Sequence, residues 1–554
     1  MSNSLKGVIT HSHFSNMFKL KALDLSDNFL VVEFSQNWAP YFQLVDIGLR
    51  SCKLGPLFPK WLETQKEFQF LDISNNGISD MVPEWFWTKF ALQEWFIINI
   101  SCNNLQGTIP NLPLQNHYYS LSLGSNQFEG NVPPFLRDST HLDLSNNKFS
   151  DCLLFLCSSG VARVLYQLDL SNNQFSGQIP DCWTHFKSLT FLNISQNKFS
   201  GKIPTSIGSL LELQVLLLRN NTLRGEIPFS LRNCTKLLML DMAENRLSGS
   251  IPDWIGSKLL ELQFLSLGSN FLCGSLPLQI CYLKSIHILD LSLNNLSGQI
   301  PKCIKNYSSM TQITSLIDHQ DYWYLINTTF GVAHNSYDLN TFLMWKGSKQ
   351  MFTNNGLSLL KSIDLSSNQL SGEIPEEVED LFDLISLNLS RNNLMGKIPS
   401  NIGKLTSLEF LDLSRNQFVG SIPLSLAQID RLASLDLSHN YLSGKIPTGT
   451  QLQSFDASKY EDNVGLCGLP LEKLCIDRVP RQKSIVEFQD DNLIFNRGFY
   501  ISMTIGFVIS FWGVFGSILL IRSWRHAYFK FLSNLANTLY VMAAVKVFKK
   551  FSRA

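Results

Sequence analysis

The sequence lacks the short motifs that mark catalytic and nucleotide-binding sites. A phosphate-binding loop, the protein-kinase motif set, a paired-histidine zinc helix and a serine nucleophile elbow are all missing from its 554 residues. His11 and His13 form the only close histidine pair, and no matched acidic or cysteine partners accompany them. The sequence therefore predicts a protein that is not an enzyme and that holds neither a metal nor a cofactor.

A net charge is also missing, because 45 Lys and Arg residues balance 45 Asp and Glu residues. The balance is uneven along the chain, since the basic residues from Arg522 onward have no acidic residue among them. The preceding body is therefore mildly acidic. An acidic body argues against a nucleic-acid partner, and a purely basic end argues for a membrane boundary.

What the sequence does contain is one phrase repeated along most of its length. It reads LDLSNNQFSGQIP, LNISQNKFSGKIP and LLLRNNTLRGEIP between Leu168 and Pro228, with Asn173, Asn197 and Asn221 in equivalent places. Alternate leucines point to one face of a short strand, and the asparagine turns the chain and can bond the backbone of the neighbouring coil. One such coil cannot bury its own apolar face, so the phrase predicts a stacked solenoid with parallel strands.

The turn asparagine defines a ladder of equivalent positions through the chain. Cys52 occupies one of them, where we expect its thiol to be a weaker donor than an amide. The ladder positions are Asn28, Cys52, Asn76, Asn103, Asn126, Asn147, Asn173, Asn197, Asn221, Asn245, Asn270, Asn294, Asn368, Asn392, Asn416 and Asn440.

A non-repetitive insertion interrupts the array, because no LxLxxN phrase occurs between about Lys302 and Lys361. Long insertions in compact arrays are usually functional or disordered, and the aromatic residues here argue against disorder. Two interpretations stay open, a plug packed on the solenoid and a contact surface for a partner. The candidate contact residues are Tyr322, Trp323, Tyr324, Trp345 and Lys346.

The end of the chain has the pattern of a membrane anchor. Phe499–Ile521 is a run of 23 residues without a charge, which at about 1.5 Å per residue spans a bilayer core of about 30 Å. Basic residues follow directly, so the repeats are predicted outside and the tail in the cytoplasm. Small residues recur on one stripe of this helix and form a candidate face for helix pairing. They are Ser502, Gly506, Ser510, Gly513 and Ser517.

These features give the expected domain boundaries. The segments are 1–301 with about twelve repeats, 302–361 as the insertion, 362–455 with four further repeats, 456–476 as a C-terminal cysteine cap, 477–498 as an acidic connector, 499–521 as the membrane helix and 522–554 as a short basic tail.

The repeat phrase resembles the plant-type leucine-rich repeat, LxxLxxLxLxxNxLxGxIP. With the insertion and the phrase GFYISMTIGFVISFWGVFGSILLIRSWRHAYFKF near the end, nearly the whole chain is similar to the kinase-lacking leucine-rich-repeat receptor-like proteins of plants. The similarity is especially close to the subgroup that includes the fungal-xylanase receptors. The resemblance implies an α/β-type solenoid of horseshoe or superhelical form, with short parallel strands on its concave face and one C-terminal transmembrane helix.

The resemblance also implies a function. It is that of a single-pass plasma-membrane receptor that binds an extracellular peptide or protein ligand and signals in plant defence rather than development. A receptor-kinase adaptor would contact the small-residue stripe and the acidic patch of Glu487, Asp490 and Asp491. A co-receptor kinase would contact the last four repeats near Trp345.

The ligand is expected on the concave face. Residues that flank the alternate leucines of a strand point outward, and exposed aromatic side chains on a curved surface suit a peptide or protein. The alternative is that some of these side chains pack against one another or against the adjacent coil. The candidates are Phe191, Val215, Arg219, Met239, Phe264 and Phe410.

Covalent modification is expected at cysteines and at glycosylation sequons. Cys152, Cys157 and Cys182 form one cysteine group and Cys273 and Cys281 another, and the sequence leaves their connectivity open. The cap of the resembled family implies a further disulfide between Cys467 and Cys475. We expect glycans on several of the Asn-x-Ser/Thr sequons. The sequon asparagines are Asn99, Asn193, Asn220, Asn233, Asn295, Asn306, Asn327 and Asn388.

The start of the chain is unusual for such an array. Met1–Lys21 has no apolar leader and no cysteine-bearing cap for the first coil. We therefore expect an N-terminally truncated form of a longer receptor, and a decoy or non-functional fragment is one alternative. A protein like the polygalacturonase inhibitors shares the repeat and is another, against which the membrane helix and the size of the array argue.

Overall fold

The computed structural model of the protein describes residues 4–90, 95–112, 118–157, 165–311, 323–328, 331–336, 341–345, 348–449 and 451–475. All of these residues belong to the first of two compact units, Met1–Ile476. The second unit, Asp477–Ala554, contains the predicted acidic patch, membrane helix, helix-pairing stripe and basic tail, which lie outside the described residues. Within the described residues, no helix has the length and apolar character needed to cross a bilayer.

One parallel sheet of 16 strands, the main sheet, runs through the first unit. The central leucines of consecutive strands stand in register, as Leu192 with Leu216 and Leu216 with Leu240. Strand Ile288–Asp290 pairs directly with Ser362–Asp364, so the insertion does not break the sheet. The strands are Ala22–Asp24, Asp46–Gly48, Phe70–Asp72, Trp95–Asn99, Tyr118–Ser122, His141–Asp143, Gln167–Asp169, Phe191–Asn193, Val215–Leu217, Met239–Asp241, Phe264–Ser266, Ile288–Asp290, Ser362–Asp364, Ser386–Asn388, Phe410–Asp412 and Ser434–Asp436.

A second parallel sheet of 11 strands, the second sheet, is formed by the stretches that follow the turn asparagines. Gln106–Gly107, Gln127–Gly130 and Lys148–Phe149 form a three-stranded sheet in the corresponding part of earlier coils, and Lys6–Thr10 pairs with Phe29–Glu33. The second-sheet strands are Ser176–Gln178, Lys198–Gly201, Thr222–Gly225, Arg246–Ser250, Phe271–Ser275, Asn295–Gly298, Gln369–Gly372, Asn393–Gly396, Gln417–Gly420, Tyr441–Lys445 and Gly465–Cys467.

Short helices form the return path of most coils. A proline often precedes them, as Pro228 does at φ −66°, the value that its ring imposes. The 3-10 helices are His11–Phe14, Lys60–Thr64, Pro134–Asp138, Leu153–Cys157, Trp183–His185, Thr205–Ser209, Phe229–Asn233, Leu278–Tyr282, Lys302–Asn306, Glu376–Asp380, Ile402–Lys404, Leu424–Gln428 and Ala457–Tyr460, and the α-helices are Glu84–Phe90, Trp254–Lys258, Ser308–Thr311 and Asn354–Leu359.

The asparagine ladder joins each coil to the one before it. The Nδ2 of Asn221 donates to the carbonyl of Ile194 in the preceding coil at 3.1 Å and to its own Leu218 carbonyl at 3.1 Å. Its Oδ1 accepts the N–H of Phe199 at 3.0 Å. One buried amide thereby satisfies backbone groups of two coils that no strand pairing reaches.

The variant position of the ladder behaves as the sequence predicts. The thiol of Cys52 donates to the Leu25 carbonyl of the preceding coil at 3.1 Å. The cap adds a further rung that the phrase did not reveal, because the Nδ2 of Asn463 donates to Leu437 at 2.9 Å and its Oδ1 accepts from Leu442 at 2.9 Å. The ladder therefore continues into the cap.

The core lies between the two sheets and the short helices. It takes the inward-pointing Leu or Ile of each main-sheet strand and most of the apolar residues that follow the turn asparagines. Phe128, Phe149, Phe175 and Phe199 stack in consecutive coils with ring centroids 6.2–6.5 Å apart. These contacts confirm the predicted solenoid with parallel strands, in which each coil buries the apolar face of the next.

Three disulfides link neighbouring segments of the described chain. They join Cys157 to Cys182, Cys281 to Cys303 and Cys467 to Cys475. The second disulfide reaches a cysteine in the next coil that the sequence did not single out, and Cys273 stays free and exposed. The third closes the strand Gly465–Cys467 at the end of the array.

Candidate ligand-recognition face

The insertion folds back onto the main sheet. The coil before it extends further than its sequence predicts, because Ile304, Tyr307 and Met310 are still core residues and the Met310 carbonyl accepts the N–H of Asp383 at 3.0 Å. We therefore name residues 312–360 the island. Its described parts are two antiparallel hairpins, Trp323–Thr328 with Gly331–Ser336 and Thr341–Trp345 with Ser348–Phe352, and the helix Asn354–Leu359.

An apolar cluster holds the island on the sheet. The first and third residues of a main-sheet strand point away from the core, because the second is the core leucine. In five consecutive strands the first residue belongs to this cluster, and so does Leu217. The sheet side of this cluster is Phe191, Val215, Leu217, Met239, Phe264 and Ile288, and the island side is Leu343, Leu357 and Leu360. Burial of such side chains contributes roughly 1.5–3 kcal/mol each as an upper bound, so apolar contact dominates the docking.

The prediction that the candidate ligand contacts are exposed is wrong. The island covers the apolar candidates from Phe191 to Phe264. The guanidinium of Arg219 is buried against carboxylates. The sequence left open that such side chains pack against their neighbours, and the cluster has that arrangement. The buried candidates are Phe191, Val215, Arg219, Met239, Phe264 and Phe410, none of which is more than 6% exposed.

A buried arginine joins three coils beside the apolar cluster. The Nε of Arg219 donates to Asp241 at 2.7 Å, its Nη1 to Glu244 at 2.8 Å and its Nη2 to Ser266 at 2.9 Å. Burial by itself lowers the pKa of this guanidinium, but the charge and hydrogen bond of Asp241, together with the charges of Asp290 and Glu244, leave the pKa raised. A buried charge requires such pairing, and removing one partner would leave the other uncompensated.

The island adds its own polar contacts to this group. The Oγ1 of Thr341 donates to Asp241 at 2.9 Å, and the Nζ of Lys349 donates to the two carboxylate oxygens of Glu244 at 2.7 and 2.8 Å. Burial raises the pKa of Glu244, yet the hydrogen bond from Lys349 and the charge of Arg219 together leave it lowered. Glu244 therefore ties the island and the solenoid to one ionised network.

A second set of buried carboxylates lies along the main sheet. Burial, with the charge of Asp143, raises the pKa of Asp169 to about 7, and hydrogen bonds from Ser171 only partly offset this. Burial, with the charge of Asp290, raises the pKa of Asp364 to about 7 in the same way. These carboxylates accept hydrogen bonds from their own turns, which agrees with the structural role that the repeat predicts for them. Within the described residues, no group of three His, Cys, Asp or Glu side chains could hold a metal ion.

The predicted island contacts fall into three groups. Tyr322 and Lys346 lie outside the described residues, and of Trp323 and Tyr324 only the backbone strand is described. Trp345 is half-buried, packs against the apolar cluster and meets the ring of Phe352 edge-on at 6.0 Å. At Trp345, the interpretation of the insertion as a packed plug fits the structure.

The sequons differ in accessibility. Asn193 is buried and its Nδ2 donates to Asp169 at 3.0 Å, so the prediction of a glycan on that nitrogen is wrong. Asn99 and Asn388 are half-buried, and the side chain of Asn327 is outside the described residues. The exposed sequon asparagines are Asn220, Asn233, Asn295 and Asn306.

Of the island residues that dock on the sheet, the sequence identified only Trp345. The alternation of Thr341, Leu343 and Trp345 is a period-two signal that could have indicated a strand with one buried face. Thr341 and Lys349 carry no comparable signal. Their partners Asp241 and Glu244 lie 100 and 105 residues away in the chain, and only folding brings them together.

A scan against family models matches the Leucine Rich Repeat in ten places along the chain. The matched segments are residues 67–88, 164–186, 188–210, 212–234, 236–258, 285–307, 359–381, 383–405, 407–429 and 431–451.

Two tomato proteins are similar to the chain over almost its full length. Receptor-like protein EIX2 of Solanum lycopersicum is 46% identical over 546 residues, which cover 98% of this chain and 53% of the relative. Receptor-like protein EIX1 of the same species is 48% identical over 566 residues, covering 99% and 54%. This chain therefore spans about half the length of these relatives.

A solved structure shows the same architecture. The leucine-rich-repeat ectodomain of the Arabidopsis receptor kinase HAESA, in complex with an N-terminally extended IDA peptide hormone, superposes with a TM-score of 0.61 at 30% identity. The match covers 86% of this chain and 74% of that one.

Proposed function

The chain belongs to the plant leucine-rich-repeat receptor-like proteins, and from this premise we propose that it is a cell-surface receptor for an extracellular peptide or protein ligand. The similarity to an ectodomain that holds a peptide hormone supports a peptide as the ligand. The family and the fold are typically those of ligand-binding proteins rather than enzymes. Ligand recognition is therefore the activity that the fold supports best.

The docked island is the observation that carries this proposal. It covers the main sheet from Phe191 to Ile288 and leaves uncovered its own outer strand, Ser348–Phe352, whose first four residues are exposed. Inserted segments held by a rigid scaffold are where recognition residues concentrate. The ligand therefore binds along the outer strand of the island and the repeats that follow it.

Signalling depends on partners and on the membrane in this proposal. A leucine-rich-repeat receptor kinase acts as adaptor through the stripe in 499–521 and the acidic patch, and a co-receptor kinase binds the last four repeats. The process served is plant defence, as the resemblance of the sequence to the fungal-xylanase receptors implies. The repeats lie outside the plasma membrane and the basic tail inside.

Binding of a protein ligand to the full chain in plant membranes tests the proposal. Fluorescent fungal xylanase is the probe, and we expect membranes from leaves that express the tagged chain to retain it and to yield a co-purifying receptor kinase. Met351→Ala on the outer strand of the island should weaken retention. Leu278→Ala should leave retention unchanged, because Leu278 is an exposed apolar residue on a 3-10 helix of the return path.

Two results would contradict the proposed function. One is equal retention of xylanase by membranes with and without the chain, together with no co-purifying receptor kinase. The other is equal loss of retention in the Met351 and Leu278 variants, which would show that the island has no special part in binding.

A further inference from the structure

The residues directly before the turn asparagines form a column along the margin of the main sheet. Arg391 and Arg415 are consecutive members, with φ of 56° and 54°. Their N–H groups donate to Ser414 and Ser438 in the following coils, both at 2.9 Å. Because they hold the same place in neighbouring coils, their backbones are about 5 Å apart, and both side chains are exposed.

This column borders the face on which the island lies. Glu244 is a member of the same column, since it directly precedes the ladder residue Asn245 and has φ 56°. Its carboxylate binds Lys349 of the island. The island also reaches the coil of Arg391, because Ile385 packs against the island cluster. Arg391 therefore lies in a coil that contacts the cluster, and Arg415 lies in the next coil.

Both arginines are exposed and carry uncompensated charge. Within the residues that the structure describes, no carboxylate lies within ion-pair distance of Arg391 or Arg415. Neighbouring cations are paired, as Lys361 is with Asp383 and Lys459 with Asp436.

The acid that precedes Arg415 in its own coil is occupied elsewhere. The Oδ1 of Asp412 accepts the N–H of Ser414 at 2.9 Å. Burial raises the pKa of Asp412, and hydrogen bonds from Ser414 partly offset this.

We propose that Arg391 and Arg415 together form an anion subsite that takes a carboxylate-bearing segment of the peptide ligand. Guanidinium forks bind carboxylates in bidentate fashion, so two exposed arginines of neighbouring coils can each bind one acidic side chain of the same ligand segment. The inference rests on the proposed function and names the chemistry of its ligand. The acidic segment of the ligand neutralises the positive charge of these two arginines beside the island.

A matched pair of arginines provides the control. Arg224 and Arg246 are likewise exposed and stand in register in neighbouring coils, but on the second sheet. Replacing either pair by glutamine removes the same charge at the same spacing. Only the location relative to the island differs.

Fluorescence anisotropy of a labelled oligoglutamate peptide with the full chain in detergent tests the subsite. We expect saturable binding that weakens with added salt, and about tenfold weaker binding for R391Q/R415Q. R224Q/R246Q should bind as the unaltered chain does, and a labelled oligoglutamine peptide should not bind. Circular dichroism and melting temperature establish that both variants fold.

Other outcomes would overturn the inference. No binding by the unaltered chain, or equal loss in both variants, would remove the subsite. Saturable binding of a labelled acidic pectin oligomer that R391Q/R415Q weakens, with no binding of oligoglutamate, would assign the anion site to a carbohydrate instead of a peptide. Xylanase retention by membranes is scored separately: if it fails while oligoglutamate behaves as expected, the proposed function fails and the anion site stands.

Discussion

At the scale of single residues, one asparagine per coil determines how the coils join. Asn221 bonds the backbone of its own turn and of the preceding coil, and Cys52 shows that a smaller donor can occupy the same place. A buried side-chain amide whose oxygen and nitrogen both have hydrogen-bond partners stabilises the fold modestly. A buried backbone group left without a partner is costly.

Asn221→Ala is therefore expected to destabilise the array. It leaves the Ile194 carbonyl and the Phe199 N–H without their partner, at a cost of about 2–4 kcal/mol in the free energy of unfolding. Hydrogen exchange of the N–H of Phe199 should accelerate, and the melting temperature should fall. Gln174→Ala is the control, because Gln174 is exposed, and equal effects of the two changes would contradict the ladder's role.

The buried carboxylates predict a pH dependence of stability. Asp169 and Asp364 titrate near pH 7 when folded, against an ordinary value of 3.8. The folded chain therefore binds more protons between these values, and its stability falls as the pH rises from about 4 to about 7. The melting temperature should be lower at neutral pH than at mildly acidic pH.

Replacing Asp169 and Asp364 by asparagine should make the stability depend less on pH. Asn mimics the protonated carboxyl, so D169N/D364N should lose less stability than the unaltered chain over the same range. Asp456→Asn is the control, because this exposed carboxylate has a lowered pKa and stays ionised throughout the range. An unchanged slope in the double variant would show that these residues do not hold their protons.

At the scale of elements, the island is a separate body docked on a regular sheet. Leu343→Asp places a charge in its apolar cluster, which costs several kcal/mol unless the island leaves the sheet. Hydroxyl-radical footprinting should then show increased oxidation of Met239, which the docked island covers. Met351→Asp, at a side chain that is 59% exposed, should leave Met239 protected.

The polar contacts of the island are predicted to be unequal in importance. Lys349→Met removes one half-exposed ion pair and should change the free energy of unfolding by about 1 kcal/mol or less. Glu244→Gln also takes a partner from the buried Arg219, so its cost should be larger, on the order of 2–3 kcal/mol. Equal costs in thermal unfolding would mean that Arg219 does not depend on Glu244.

At the scale of the whole molecule, the repeat predicts the solenoid but does not predict that the island covers part of its main sheet. A period of 24 residues fixes strand, turn and stacking, because each is decided by neighbours within one coil or the next. The burial of Phe191 and Met239 depends on Leu343, far away in the chain and outside any repeat. An outward-pointing aromatic residue has the same sequence pattern whether it faces solvent or an inserted hairpin.

The ion pairs of the recognition face could not be predicted from the sequence for the same reason. Arg219 stands at a free position of the repeat phrase directly after its strand, and its charge is used inside the protein by Asp241 and Glu244. Arg391 and Arg415 also stand at a free position of the phrase, and their proposed role follows only from their place beside the docked island.

Zero-length carbodiimide cross-linking of the full chain tests most directly whether the island is docked on the sheet. Lys349 and Glu244 are 2.7 Å apart, so mass spectrometry should find a peptide in which an amide bond joins the two side chains. Glu244→Gln should abolish that peptide, and Met351→Ala should retain it. A Lys349 that links only to other carboxylates, or to none, would contradict the docked island and the recognition face built on it.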